Sequence, residues 1–322
     1  MKYLVTGGAG FIGSNIVHEL VRRGEQVRVI DNFSTGFRSN LKDVAGTVEI
    51  IDGDIRDFWT VLEAVGGVDY ILHQAALPSV PRSIENPLTS NSVNANGTLN
   101  LLEAARRANV KRFVMASSSA VYGDTPVLPK HEEMLTDPLS PYAVTKLVNE
   151  KYCKIYYSLY GLETVCLRYF NIFGPRQDPN SQYSAVIPKF IFALQLGRKP
   201  VVFGDGEQSR DFTFVANTVE ANLLATMSEH APGKVYNIAC GGQFTLNRLL
   251  DELREIMGVD IEAKYDPPRK GDIIHSFADI SKAEKDLGYQ PKIAFKEGLK
   301  RTVEWFSSVN SSQTPVGGIK IN

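Results

Sequence analysis

The chain has 322 residues, 43% hydrophobic and 22% charged, an ordinary globular composition long enough for two lobes sharing a cleft. Lysine and arginine number 35 against 36 acids, and the net charge of -1 excludes a blanket electrostatic affinity for nucleic acid or an anionic membrane, so any anion must be bound locally. No apolar run approaches the roughly 18 residues of a membrane span, and the isolated Cys153, Cys166 and Cys240 exclude a disulfide framework or a zinc spacing, which points to a reducing, cytoplasmic setting.

The start, "MKYLVTGGAGFIGS", reads as a short strand running into a glycine turn, without an apolar segment and cleavage site, and is expected to be a mature N-terminus. From there to about residue 170, "YLVTG", "QVRVID", "VEIIDGD", "VDYILHQA", "RFVMASSS" and "ETVCLRYF" are predicted strands. Between them "SNIVHELVRRG", "VLEAVGG", "GTLNLLEAARRANV" and "PYAVTKLVNEKYCKIYYSLYG" are predicted helices. Such alternation predicts an α/β fold, a Rossmann-type doubly wound parallel sheet whose ligands gather at the carboxyl ends of the strands. Past "NIFGPRQDP" the rhythm loosens, with "AVIPKFIFALQLG" and "TLNRLLDELREIMG" helical and "PVVFGDG" a strand and turn. We read residues 1–174 as the dinucleotide-binding Rossmann domain, 210–236 as returning to it, and 175–322 as a smaller C-terminal α/β substrate lobe. The polar tail from Ser307 has the composition of a frayed end.

"TGGAGFIG" sets Gly7, Gly10 and Gly13 between the first strand and its helix, where bare backbone can approach a pyrophosphate that the helix N-terminus stabilises. The second strand ends in Asp31, at the usual distance for a carboxylate that accepts from a ribose 2′-hydroxyl and repels a 2′-phosphate, which favours NAD over NADP, with Arg28 and Arg38 as the neighbouring cations. "DGDIRD" offers Asp54 and Ile55 as a carboxylate and an apolar contact for adenine. "HQAAL" ends the fourth strand in small residues, and its His73 reads as a packed strand histidine.

In "SPYAVTK", Tyr142 and Lys146 stand at i,i+4 and share a helix face. "ASSSAVYG" ends the preceding strand with Ser117, Ser118 and Ser119, hydroxyls on the nicotinamide side of such a cleft. A phenol with a pKa near 10 needs an adjacent ammonium and a cationic cofactor ring before it serves as a base near neutral pH. Tyr142 is therefore the candidate acid and base, and Lys146 its electrostatic partner.

The combination "TGGAGFIGS", "DNFSTG", "GDIRD", "SSSAVYG", "SPYAVTK", "LRYFNIFGPRQ", "GDGEQSRDF" and "PRKGDI" resembles the extended short-chain dehydrogenase/reductase family, and within it the nucleotide-sugar 4-epimerases, from Met1 to about Phe306. The resemblance implies that Tyr142 and Lys146 work with Ser118 or Ser119, which hydrogen-bonds the reacting hydroxyl. It implies NAD contacts from Gly7, Gly10, Phe11, Ile12, Asp31, Asn32, Ser34, Thr35, Gly36, Asp54, Ile55, Gln74, Ala75, Asn94, Tyr142, Lys146 and Tyr169. It assigns the uridine diphosphate to Asn171, Lys189, Phe203, Arg210, Arg269 and Asp272; independently, guanidinium forks at Arg210 and Arg269 suit a diphosphate.

Resembling dehydratases and decarboxylases carry an acid just before "VYG", where this chain has Ala120, so the resemblance implies C4 epimerisation through a transient 4-keto sugar. In such epimerases the residue five after the "GD" of "RKGD" borders the C2 substituent; here it is Ser276, which leaves room for an N-acetyl group. The implied substrates are UDP-N-acetylglucosamine and UDP-N-acetylgalactosamine, with UDP-glucose and UDP-galactose also accepted. Pro78 departs from the lysine or glycine of relatives. A UDP-glucuronate 4-epimerase, with Arg82 facing C6, and a non-catalytic NAD-sensing module are the alternatives. Arg106, Arg107, Lys111 and Arg112 read as a solvated helix end rather than a nucleic-acid site, and the long helices imply a homodimer.

Overall fold

The computed structural model describes residues 1–178, 185–268 and 274–312, the last three by backbone alone. Strands β1 (Lys2–Thr6), β2 (Gln26–Asp31), β3 (Glu49–Asp52), β4 (Tyr70–His73), β5 (Arg112–Ser118) and β6 (Glu163–Tyr169) form one parallel sheet, which Val235–Ile238 completes beside β6. The spatial order is Val235–Ile238, β6, β5, β4, β1, β2, β3. The chain thus winds outward from β1 to β3, then begins again on the other side of β1 at β4. That reversal opens the crevice where ligands of doubly wound sheets bind.

Helices α1 (Phe11–Arg22), α2 (Phe58–Val65), α3 (Val80–Glu85), α4 (Pro87–Asn91), α5 (Gly97–Arg107) and α6 (Pro141–Tyr160) alternate with these strands. The inner strands are largely buried because both faces are covered, while β3 at the edge is half-exposed. Tyr3, Val5, Val29, Leu72 and Val114 join Ile16, Val17 and Leu20 of α1 in one core. Leu4, Ile30, Ile71, Phe113 and Met115, one residue out of step, join Val61 and Val65 of α2 and Leu101 of α5 in the other. Helix α6 starts where Ser140 Oγ accepts from Ala143 N at 3.2 Å, with Pro141 preset for the first turn, and stops at Gly161, which takes the left-handed conformation at φ 71°.

The later part of the chain contains the helix Val186–Gln195, the paired strands Val201–Phe203 and Lys264–Asp266, and the helix Leu246–Met257. Ser209–Arg210 lies between Phe244–Thr245 and His275–Ser276 in a small sheet. Rings of Phe173, Phe212, Phe214, Phe244 and Phe295 pack into a cluster continuous with the α1-side core. The helix Val215–Met227 packs against α1 and β5, and the strand after it runs to Ile238, just past the 210–236 stretch. Among the described residues no helix is long and apolar enough to cross a membrane.

Arg112 does not belong to a solvated helix end. It is buried at the start of β5, where its guanidinium pairs with Glu163 and donates to the carbonyls of Ala225 and Ser228 at 3.0 and 2.7 Å. A cation here satisfies carbonyls at the C-terminal end of the helix Val215–Met227. Arg106 and Arg107 pair with Glu103, and Lys111 with Asp69, on the surface. Arg112→Leu should lower the free energy of unfolding by about 2 kcal/mol, since carbonyls lose a charged donor. A urea midpoint equal to that of the wild type would show that the guanidinium holds nothing.

Candidate active site

A cleft of about 640 Å³ opens at the carboxyl ends of β1, β2, β4 and β5. Its floor exists because backbone packs directly on backbone. Gly7 has φ +64°, and a Cβ there would lie 2.7 Å from Ala75 N; one on Gly13 would lie 2.1 Å from Gly7 O. A Cβ on Gly36 would lie 2.7 Å from Ala9 C. Gly10 begins α1 without a side-chain cap, so the helix N-terminus faces the cleft as a place for an anion.

At one end, buried Asp31 accepts from Ala9 N at 2.9 Å and Phe33 N at 2.8 Å. Burial raises its pKa, and those two N–H groups work against the rise. Asp54 is held at about 2, chiefly by its hydrogen bonds from Arg56, with Asn32 donating to it at 2.9 Å. Phe11, Ile12, Ser34, Thr35 and Ile55 line the same end. Arg28 turns away, donating to Ala64 O and Gly66 O at 2.8 Å and pairing with Glu49. Arg38 pairs with Asp52 over the Phe33 ring.

In the middle, Gln74, Tyr169 and Asn222 form a triangle in which Tyr169 Oη meets Asn222 Oδ1 at 3.0 Å and Gln74 Oε1 at 3.3 Å. Asn94 sits in a π-helical turn, Ser92–Asn96. It does not line the cleft but accepts from Leu77 N at 2.7 Å and donates to Thr145, fixing the Ala75–Leu77 wall. His73 lies between Thr6 Oγ1 and Thr98 Oγ1, at 2.7 and 2.8 Å, and burial drives its pKa down to about 3. It is a neutral packing residue, as the strand pattern indicates.

Tyr142 occupies the first turn of α6, with Lys146 one turn later. Lys146 Nζ is 5.8 Å from the Tyr142 ring centroid and donates to Ala116 O at 2.7 Å. Burial lowers the lysine to about 8. Burial raises the Tyr142 phenol, and a hydrogen bond with the Ser118 hydroxyl opposes that. Ser118 Oγ also accepts from Ala120 N at 3.2 Å, while half-buried Ser119 opens the tight turn Ser119–Tyr122. Of the two serines, Ser118 is the one beside Tyr142.

The diphosphate candidates stand outside the lining of this cleft. Asn171 adopts φ +39° and accepts from Thr213 N at 3.2 Å. Lys189 is exposed on its helix, and half-buried Phe203 ends its strand. Arg210 donates to Ser209 O and Ile274 O, and buried Ser276 is its register partner on the neighbouring strand. Arg269 and Asp272 lie outside the described residues.

Sequence reading missed Asn222, which comes from the returning helix, and Thr98 and Asn149, which bond each other behind Asn94. It also missed Glu150, although "YAVTKLVNE" places that carboxylate on the face of Tyr142 and Lys146. A dinucleotide suits these residues: an uncapped helix N-terminus for the pyrophosphate, a carboxylate at the end of β2, and glycines at which any side chain would fill the cradle. Beside it, a phenol, an ammonium and a serine suit alcohol–ketone interconversion.

Residues 3–239 match the NAD dependent epimerase/dehydratase family. The UDP-glucose 4-epimerase of Mycolicibacterium smegmatis is 38% identical over 317 residues, covering 97% of this chain and 100% of that protein. The UDP-N-acetylglucosamine 4-epimerase of Methanobrevibacter ruminantium M1, solved in complex with UDP-N-acetylmuramic acid, superposes with a TM-score of 0.92 at 44% identity, covering 96% of this chain and 98% of that one. The UDP-glucuronic acid 4-epimerase of Bacillus cereus, solved with UDP-glucuronic acid and NAD, gives a TM-score of 0.87 at 30% identity, covering 96% and 100%. Sheet order, glycine cradle and likeness over nearly the whole chain agree: the chain belongs to the NAD dependent epimerase/dehydratase family and is an NAD-using UDP-sugar 4-epimerase.

Proposed function

We propose that the substrates are UDP-N-acetylglucosamine and UDP-N-acetylgalactosamine, with UDP-glucose and UDP-galactose also accepted. The observation that carries this is Ser276, a small buried side chain in register with Arg210. A guanidinium there suits a diphosphate, and a serine next to it leaves space for an acetamide at C2. The 44% identity to a UDP-N-acetylglucosamine 4-epimerase supports the same choice. A second reading, for a UDP-uronate, has in its favour that Arg82 of α3 lines the cleft. Incubating the protein with four UDP-sugars, without added NAD, and separating the products decides between them: conversion of UDP-glucuronate alone would overturn the first reading.

Bound NAD supplies the reversible two-electron acceptor and a positive charge near the phenol. Gly7, Gly10, Gly36, Asp31 and Tyr169 hold it in this reading. Tyr142 Oη takes the proton of the C4 hydroxyl as C4 becomes a carbonyl, and Ser118 holds the C4 oxygen. The 4-keto sugar turns while Asn171, Lys189, Phe203, Arg210, Arg269 and Asp272 keep the uridine diphosphate. Tyr142 then returns its proton to the C4 oxygen as C4, its other face now presented, takes back the hydride it gave up. Because burial alone raises the phenol, the neighbouring ammonium and Ser118 have to stabilise the phenolate.

Tyr142→Phe should keep the fold and bound NAD and lose activity by about a thousandfold or more, since only the ionisable oxygen goes. Turnover near that of the wild type would remove Tyr142 from the chemistry. Ser276→Tyr should lower kcat/KM for UDP-N-acetylglucosamine by an order of magnitude or more, by overpacking the C2 space, while UDP-glucose is retained. Equal falls on both sugars would mean general damage, and no change on either would place Ser276 away from the pocket. Assembly follows from α6, which leaves Ile155 and Leu159 exposed at 44% and 70%. With α5 it forms the surface of a two-fold homodimer in this reading, and light scattering that shows monomer at micromolar concentration would count against it.

A further inference from the structure

Glu150 lies one turn beyond Lys146 on α6, and the mechanism above gives it no part. Its carboxylate is buried together with its partner Arg168. Oε1 accepts from Ser117 Oγ at 2.5 Å and from Arg168 Nε at 2.9 Å, and Oε2 accepts from Arg168 Nη2 at 2.7 Å. Arg168 in turn sits 4.7 Å over the Tyr122 ring, with its Nη1 left without a hydrogen-bond partner. A pair buried this deeply contributes little beyond what apolar side chains of the same size would, so its presence calls for work other than stability.

We propose that Glu150 is a positioning residue for Lys146: held by Arg168 and Ser117, it fixes the place of the ammonium and keeps it charged, and so sets the pH range in which Tyr142 works. The inference rests on the reading of Tyr142 and Lys146 given above. Position comes from β5, because Glu150 grips Ser117 while Lys146 donates to the adjacent Ala116 carbonyl at 2.7 Å. One helix thereby holds two consecutive residues of the strand end. Charge comes from what faces the ammonium. Tyr142 and Glu150 face it from α6, His73 from β4, and Cys166 from β6, where Arg168 stands behind the carboxylate. His73 is neutral because burial lowers it to about 3. Cys166 would help only as a thiolate, which its contact with Cys153 and its burial oppose by raising its pKa. The Glu150 carboxylate, gripped through both oxygens by Arg168, is the negative charge among these groups, and burial has already brought Lys146 down to about 8.

The sign follows directly. Without the carboxylate, Lys146 gives up its proton at lower pH, and a stranded Arg168 cation pushes the same way. Activity should therefore fall off earlier as pH rises. The test measures kcat and KM against pH, with NAD content and Tm, for the wild type, Glu150→Gln, Glu150→Asp, Glu150→Gln/Arg168→Gln and Tyr142→Phe. Glu150→Gln should move the alkaline limb of kcat down by about one pH unit and cut kcat about tenfold above pH 8, with KM and NAD content within about twofold. Glu150→Asp should recover part of the shift. The double variant, which strands no charge, should stay displaced from the wild type. An unmoved limb in a folded variant, a double variant restored to the wild-type profile, or failure of both glutamine variants to fold would each overturn the proposal. An active Tyr142→Phe sinks the reading of the site instead. An inactive one beside an unshifted Glu150→Gln sinks this proposal alone.

Discussion

A lysine ammonium buried against a strand end is the constraint around which the site is arranged. Lys146 Nζ reaches the Ala116 carbonyl at 2.7 Å, and that contact exists only if α6 lies along β5 in one register and at one depth. The Ser140 cap and Pro141 fix where the helix begins, which puts Tyr142 in its first turn, where the positive end of the helix dipole adds to the charge of the ammonium. Thr145 and Asn149, on the same helix, reach Asn94 and Thr98, so the wall beside Ala75 is carried by the same element. Local capping, helix placement and the electrostatics of one phenol are thus a single problem.

The opposite wall obeys a steric rule rather than an electrostatic one. Gly7, Gly13 and Gly36 bring three chain segments to distances that no Cβ tolerates, and the closed cradle leaves the start of α1 without a side-chain cap. The reversal of strand order between β1 and β4 places this cradle opposite Tyr142, across the crevice.

How much of this was legible in the sequence depended on how far apart the partners lie along the chain. Strands β1 to β6 of the large sheet could be read because burial on both faces leaves apolar runs, whereas Val235–Ile238, which completes the sheet, was not read as a strand. Tyr142 and Lys146 could be read because helix geometry brings i and i+4 together. Asn222, which ties Tyr169 to Gln74, could not: its partners are 53 and 148 residues away. Arg112 was misread for a related reason, since its carbonyl partners, Ala225 and Ser228, come from the returning helix. Asp211 is a residue passed over beside one that was singled out. In "SRDF" attention falls on Arg210, yet fully buried Asp211 accepts from Cys240 N, Gly241 N and Ala278 N, and its pKa is pushed up to about 6 by that burial. It ties the strand of Arg210 to the segment that follows Ser276.

The interleaved order of the sheet has a further consequence, for synthesis. The strand Val235–Ile238, which pairs with β6, is made only after the first part of the smaller lobe and the helix Val215–Met227, so a growing chain that has reached Tyr169 presents β6 as an open edge. Such an edge is a template for pairing with another nascent chain. It is also the strand that carries Arg168, Cys166 and Tyr169, so a wrong partner there would disturb the ground beneath the site. In ribosome-bound chains stopped between β6 and residue 235 that edge is uncovered, and a chaperone's cover there would keep it from pairing wrongly.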